Sequence, residues 1–119
     1  MAATYAITVP GSADYLLTLR IFVGGVARQM GLDEDRITDL KMAVSEGATM
    51  ALLDAVDSLQ LSVEGGDGWV TVRMPMAGDR VDKNPEPLDV VRALLDGNVE
   101  IGDEQVVLRV EIGQVHAGG

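Results

Sequence analysis

Residues Ile37 to Asp57 read ITDLKMAVSEGATMALLDAVD. Its periodicity predicts one long helix with two faces of different kinds. Winding it at roughly 100° per residue puts Ile37, Leu40, Val44, Ala48, Ala51, Leu52 and Ala55 on one side, a core face. The other side carries Asp39, Met42, Ala43, Glu46, Met50, Leu53 and Asp57, an apolar stripe with carboxylates set into it. Glu46 and Met50 are four residues apart, so their side chains stack on that second face. A helix with a solvated back would carry Lys, Arg, Gln and Glu there. Two methionines and a leucine imply cover: a ligand, a lid, another chain or a second layer of the same domain.

Working outward toward the N-terminus, Thr4 to Val9 alternates and is rich in β-formers, which predicts a first strand ended by Pro10-Gly11. Ser12 suits the N-cap of a helix from about Ala13 to Met30, with Gly31 as its stop. Tyr15, Leu19, Phe22, Val23, Val26 and Met30 cluster on one face of that helix as expected core. Its opposite face groups Leu17, Ile21, Gly24 and Gly25, flanked by Arg20 and Arg28. Each mid-helix glycine costs about 1 kcal/mol against alanine, which makes sense where another backbone approaches closely. Aliphatic anchors beside an arginine suit a protein–protein surface. The plainer alternative is a locally weak helix with scattered surface aliphatics.

Asp33 is a good N-cap for the long helix, and acidic residues in its first turn suit the helix dipole. Beyond it, Leu59–Glu64 and Trp69–Met74 alternate, and the linker Gly65-Gly66-Asp67-Gly68 predicts a β-hairpin. Met76 to Pro87 has loop composition. Leu88 to Leu95 predicts a short amphipathic helix stopped by Asp96-Gly97-Asn98. Val99–Ile101 and Gln105–Ile112 predict a closing hairpin, and 114–119 a flexible tail. The order β-α-α-β-β-loop-α-β-β predicts an α+β two-layer sandwich, a mostly antiparallel mixed sheet with helices packed on one face.

The 119 residues suit a single domain, with 47 % hydrophobic residues to build a core and only 3 % aromatics. A net charge of −10 argues against direct nucleic-acid or anionic-membrane binding, which needs clustered Lys and Arg. With no cysteine, there are no disulfides, thiolate metal sites or cysteine nucleophiles. His116, the single histidine, falls in the tail, so neither a histidine-based triad nor a histidine-rich metal site is expected. The opening MAATYAITVPGSADY lacks a basic n-region and an apolar h-region, and the expected location is the cytoplasm.

The segment Asp39 to Leu52, DLKMAVSEGATMAL, resembles the second helix of the anti-sigma factor serine/threonine kinases of the RsbW and SpoIIAB type, within the GHKL (histidine-kinase-like, Bergerat-fold) ATPases. The similarity extends to LRIFVGGVARQMGL before it and VRALLDGNVEIGDEQVVLRVEI at the end, in matching order and spacing. The resemblance implies a motif E-x-x-x-N on this helix. Its glutamate positions or activates the attacking group, and its asparagine binds the Mg²⁺ that bridges the nucleotide phosphates. Glu46 holds the glutamate position and Met50 the asparagine position. Mg²⁺ demands oxygen ligands, and a thioether is a poor substitute.

The family's D-x-G-x-G follows the hairpin and reads adenine. This chain has Met74-Pro75-Met76-Ala77-Gly78-Asp79 at that place. Where a second glycine-rich turn would cradle phosphates, Pro85-Glu86-Pro87-Leu88-Asp89 removes amide donors and adds negative charge. The departures together imply a degenerate nucleotide site, no ATP or Mg²⁺ cofactor, no metal, and a relic role for Glu46. Met42, Met50, Leu53 and Trp69 are the side chains available to fill the pocket.

The resemblance also implies a first helix used in homodimer formation and partner binding, with an arginine that contacts a sigma factor and its competitor, the STAS-domain anti-anti-sigma protein. Arg20 matches that arginine, and Leu17, Ile21, Gly24 and Arg28 share its face. The expected function is an anti-sigma-factor-like regulator acting by sequestration or partner switching, a pseudokinase. A divergent ATP-dependent serine/threonine kinase is one alternative. A scaffold or activator of a stress-signalling complex is the other.

Overall fold

The computed structural model describes residues 3–52, 57–75, 86–102 and 104–112. Strand β1 (Ala3–Pro10) leads through a one-turn 3-10 helix (Ala13–Tyr15) into α1 (Leu16–Gln29) and α2 (Glu34–Leu52). The hairpin β2 (Ser58–Gly66) and β3 (Trp69–Pro75) follows, then α3 (Glu86–Leu94) and the hairpin β4 (Val99–Ile101) and β5 (Gln105–Glu111). The five strands form one sheet in the order β1-β2-β3-β5-β4, and all four pairings are antiparallel. The expected architecture is present; the sheet is fully antiparallel among the described residues, where a mixed one was expected.

Local chemistry explains the boundaries. Ser12 Oγ accepts the Asp14 N–H at 3.2 Å and caps the 3-10 turn. Gly31, at φ +97°, closes α1: its N–H donates to the Arg28 carbonyl, and the Leu32 N–H donates to that of Ala27. Asp33 Oδ1 accepts the Arg36 N–H at 2.9 Å, so α2 starts at Glu34, directly after the N-cap that the sequence predicts. At its other end α2 is described only to Leu52; Leu53 and Ala55 lie outside the described residues. Asp57 stands in the bend before β2, where its carbonyl accepts the Gly11 N–H.

The β2–β3 turn is two residues, Asp67 and Gly68, both at positive φ, as a tight right-twisted hairpin requires. Gly65 and Gly66, read from sequence as linker, belong to β2 and pair with Val70 and Trp69. The short helix α3 begins at Glu86, two residues earlier than predicted, and Asp96 and Gly97 turn the chain out of it at positive φ.

One sheet face packs under the helices. Leu59, Leu61 and Val63 of β2, Val70, Val72 and Met74 of β3, and Val106, Leu108 and Val110 of β5 point there by strand alternation. They meet Leu19 and Val23 of α1 and Ile37, Leu40, Val44 and Ala48 of α2, all buried. On the opposite face, Thr71 and Val107 are nonetheless buried. Each lies in register between long charged neighbours, Glu64 and Arg109 for Thr71, Arg73 and Glu100 for Val107. The ion pairs Arg73–Glu64 (2.9 Å) and Arg109–Glu100 (3.1 Å) lay their aliphatic stems over that face. No helix among the described residues is long and apolar enough to cross a membrane.

Candidate functional site

Helix α2 lies between α1 and α3, and this placement sorts its second face. Ala43 and Met50 are buried, Asp39 is half-buried, and Met42 and Glu46 are exposed. A second layer of the same domain therefore provides the cover over Ala43 and Met50, one of the four covers the pattern allowed. Met42 points outward, half exposed, and does not fill the interior.

Met74, which sequence reasoning did not count among the side chains available to fill a pocket, packs against α2. A Cβ built on Gly47 would stand 2.6 Å from Met74 Cε and 3.2 Å from its Sδ, so the thioether lies directly against the α2 backbone one residue past Glu46. Met74 and Met50 are each about 1 % exposed. Trp69 stands at the far end of β3, and its odd position places it on the sheet face away from the helices. The strand alternation carried that signal, because Val70, Val72 and Met74 are the inward set.

Around Glu46 the structure thus offers one exposed carboxylate. The side chain one turn on, Met50, is apolar and buried, and the end of β3 contributes a second buried thioether. Neither supplies an oxygen ligand for a hard cation or a carboxylate for an adenine amino group. These residues do not fit a Mg²⁺–nucleotide. His116, Leu53 and most of the loop from Met76 to Pro87 lie outside the described residues.

The second candidate surface is the outer face of α1. Leu17 and Ile21 are 59 % and 64 % exposed, the most exposed large aliphatics described. Arg20 and Gly25 are exposed beside them. Gly24, placed on this face from sequence, is buried instead: a Cβ there would meet Lys41 Cδ at 3.1 Å and Ile37 Cγ2 at 3.7 Å. The helical wheel located Gly24 correctly but could not show that the Lys41 stem of α2 lies across it. Tyr15, expected in the core, is exposed in the 3-10 turn.

The two arginines differ. Arg28 Nε and Nη2 donate to both carboxylate oxygens of Glu34 at 2.7 and 2.9 Å, tying the end of α1 to the start of α2. The hydrogen bond from Arg28, reinforced by its charge, holds the Glu34 carboxyl below its ordinary range. Arg36 donates to the Glu111 carbonyl, and Arg73, Arg92 and Arg109 pair with carboxylates. Among the described residues, Arg20 alone of the arginines has no such partner.

No family model matches the chain. Among curated proteins it is similar to the serine-protein kinase RsbW of Bacillus licheniformis, 32 % identical over 96 residues that cover 81 % of this chain and 52 % of that one. It is 36 % identical to RsbW of Bacillus subtilis over 74 residues, 62 % of this chain and 42 % of that protein. Over a stretch of the same length it is 42 % identical to RsbW of Bacillus cereus. The chain is RsbW-like. It spans about half the length, or less, of the RsbW proteins it matches. A crystal structure of the RsbU and RsbW domains of a Mycobacterium tuberculosis protein superposes with a TM-score of 0.71 over 92 % of this chain and 32 % of that one, at 19 % identity. That likeness concerns the fold alone, a five-stranded antiparallel sheet with helices on one face in this chain.

Proposed function

We propose that this RsbW-like chain is an anti-sigma-factor-like regulator that acts by binding protein, as a homodimer, with no nucleotide chemistry of its own. The observation that carries this reading is the pair of buried methionines, Met50 and Met74, at the two positions where the resembling kinases place a Mg²⁺-binding asparagine and the adenine-reading motif. Filling both positions with thioethers replaces polar recognition by core packing. Glu46 is then a surface relic on a helix whose remaining role is structural.

The binding half of the reading rests on the α1 face. Leu17 and Ile21 supply exposed apolar anchors, and Arg20, free of any ion pair among the described residues, is available to a carboxylate of the partner. Leu17, Arg20, Ile21 and the exposed Gly25 form that surface; the buried Gly24 lies beneath it, and Arg28, exposed at the end of the helix, is held by Glu34. The partner is a sigma factor or a STAS-domain anti-anti-sigma protein, and the chain acts in the cytoplasm without touching nucleic acid or membrane.

The second reading, a divergent serine kinase, draws support from the name of the Bacillus relatives and from the exposure of Glu46. One assay separates the two. The chain is incubated with a STAS-domain partner and labelled ATP, and both capture and label transfer are followed. Capture without transfer is expected; transfer to a partner serine would establish the kinase instead.

A further inference from the structure

We infer that the sheet face turned away from the helices carries a binding site for a neutral oligosaccharide, with Trp69 as its platform. The inference is independent of the reading above. The site shares no residue with the α1 face, and its test does not depend on what that face binds.

Two recesses lie side by side on this face. One, of about 540 Å³, is walled by Gln60 and Ser62 of β2, Arg73 and Pro75 of β3 and Gln105 of β5. The other, of about 270 Å³, lies between Trp69, Thr71 and Arg109, beside Glu64 and Gly66. Arg73 borders both, so they form one trough along β3. The larger recess alone falls within the range of roughly 300–1,000 Å³ common to small-molecule sites. Strand register fixes the walls: Arg73 stands opposite Ser62, Thr71 between Glu64 and Arg109, and Pro75 opposite Gln105. Thr71, small and buried, is the floor between the taller side chains. Gly66 pairs with Trp69 and has no side chain, so the half-buried indole is left open on its β2 side.

The charges of the trough are already matched. Arg73 Nη1 donates to Glu64 Oε1 at 2.9 Å, and Arg109 Nη1 lies 3.1 Å from Glu100 Oε2. An anionic ligand has to displace those carboxylates, and it meets Glu104 in the larger recess, Asp67 in the smaller and a chain of net charge −10. A cationic ligand has to displace the two guanidiniums. A hydroxyl does neither. It donates to a carboxylate or carboxamide oxygen and accepts from an amide or guanidinium N–H, and each guanidinium keeps donors beyond the one its partner uses. Gln60 and Gln105 each add a donor and an acceptor on either side of Pro75. A ligand rich in hydroxyls satisfies this set, whereas an apolar one leaves it unpaired. Trp69 supplies the remaining part, a broad apolar surface on which the C–H face of a sugar ring rests while its hydroxyls reach the rim. The sheet and its two ion pairs hold these groups before the ligand arrives, which lowers the cost of binding.

The test is a titration of the purified chain with maltohexaose, cellohexaose and chitohexaose. Trp69 is the only tryptophan, so its emission reports on the trough directly. The expected result is a saturable change with at least one of the three, with half-saturation at about 0.1–5 mM. High salt should leave it unchanged, because the ligand carries no charge. By calorimetry, Trp69→Phe should weaken binding and Trp69→Ala remove it, while Gln60→Ala and Gln105→Ala each weaken it about threefold or more. Gln29→Ala, the same change on an exposed position of α1, should leave it as it is. Circular dichroism confirms that each variant is folded. No saturable change with any of the three sugars up to about 20 mM would overturn the inference. Sugar binding indifferent to Trp69→Ala and to both β-strand glutamine variants would overturn the placement. Adenosine bound at Trp69 where the sugars fail would overturn the ligand class.

Discussion

The thioether end of Met74 lies against the backbone of Gly47, so close that a Cβ on that glycine would stand 2.6 Å from Met74 Cε. The end of strand β3 and the middle of α2 thereby meet one residue past Glu46. The glycine is explained by its neighbour: a residue that costs about 1 kcal/mol in a helix interior is retained where a methionine fills the space of its side chain.

A double-mutant cycle reads that contact. Met74→Ala should destabilise by about 2–5 kcal/mol, as large-to-small core changes do. Gly47→Ala in wild type should be neutral or destabilising, because overpacking by about 1–3 kcal/mol offsets its helical gain. In the Met74→Ala background the clash is gone, and Gly47→Ala should stabilise by up to about 1 kcal/mol. Urea unfolding of the four proteins gives the coupling energy. Additive effects would mean that the two residues do not share space.

Gly25 makes the opposite case. A Cβ there meets nothing within 4 Å, so Gly25→Ala should stabilise the fold by about 0.5–1 kcal/mol. If the α1 face receives a partner, the same methyl group should weaken partner capture. Thermal denaturation and a binding titration on one variant test both. A more stable protein with unchanged capture would remove Gly25 from the interface.

Arg20→Glu should abolish partner capture while moving the melting temperature little, since Arg20 is exposed and pairs with nothing among the described residues. Arg28→Ala behaves differently, because it releases Glu34 and loosens the junction of α1 and α2. A capture assay beside calorimetric melting distinguishes a surface arginine from a structural one. Loss of stability in both variants alike would contradict this division.

The Arg28–Glu34 pair also gives stability a pH dependence of known sign. The hydrogen bond from Arg28 lowers the Glu34 pKa in the folded chain relative to the unfolded value of about 4.3. Its contribution is therefore fully present above that value and is lost as pH falls through the depressed pKa. The stability difference between wild type and Glu34→Gln should shrink on acidification through this window. It should also shrink with added salt, because both side chains are exposed. A difference that is constant from neutral to acid pH would remove the pair from the account.

The order of elements was legible because the punctuation is chemical: Pro10-Gly11, Gly31 at positive φ, and Asp67-Gly68 each end something for a local reason. The core faces of α1 and α2 followed from periodicity, with Leu19, Val23, Ile37, Leu40 and Val44 all placed correctly. Neighbours were harder to read. Periodicity gives the direction of Gly24 but not the Lys41 stem above it, and nothing local in β3 says that Met74 reaches Gly47. Arg20 and Arg28 look alike on a helical wheel, and only the fold brings Glu34 to one of them.

The most direct test of the central claim is a calorimetric titration of the purified chain with ATP and ADP, each with and without Mg²⁺. The account predicts no binding heat and no shift in melting temperature, because it reads the buried Met50 and Met74 as replacing polar nucleotide-binding groups. A bound nucleotide at a hundred times its dissociation constant would stabilise the fold by about 2.7 kcal/mol, well within reach of the measurement. Micromolar, Mg²⁺-dependent binding would contradict the account and return this chain to the kinases.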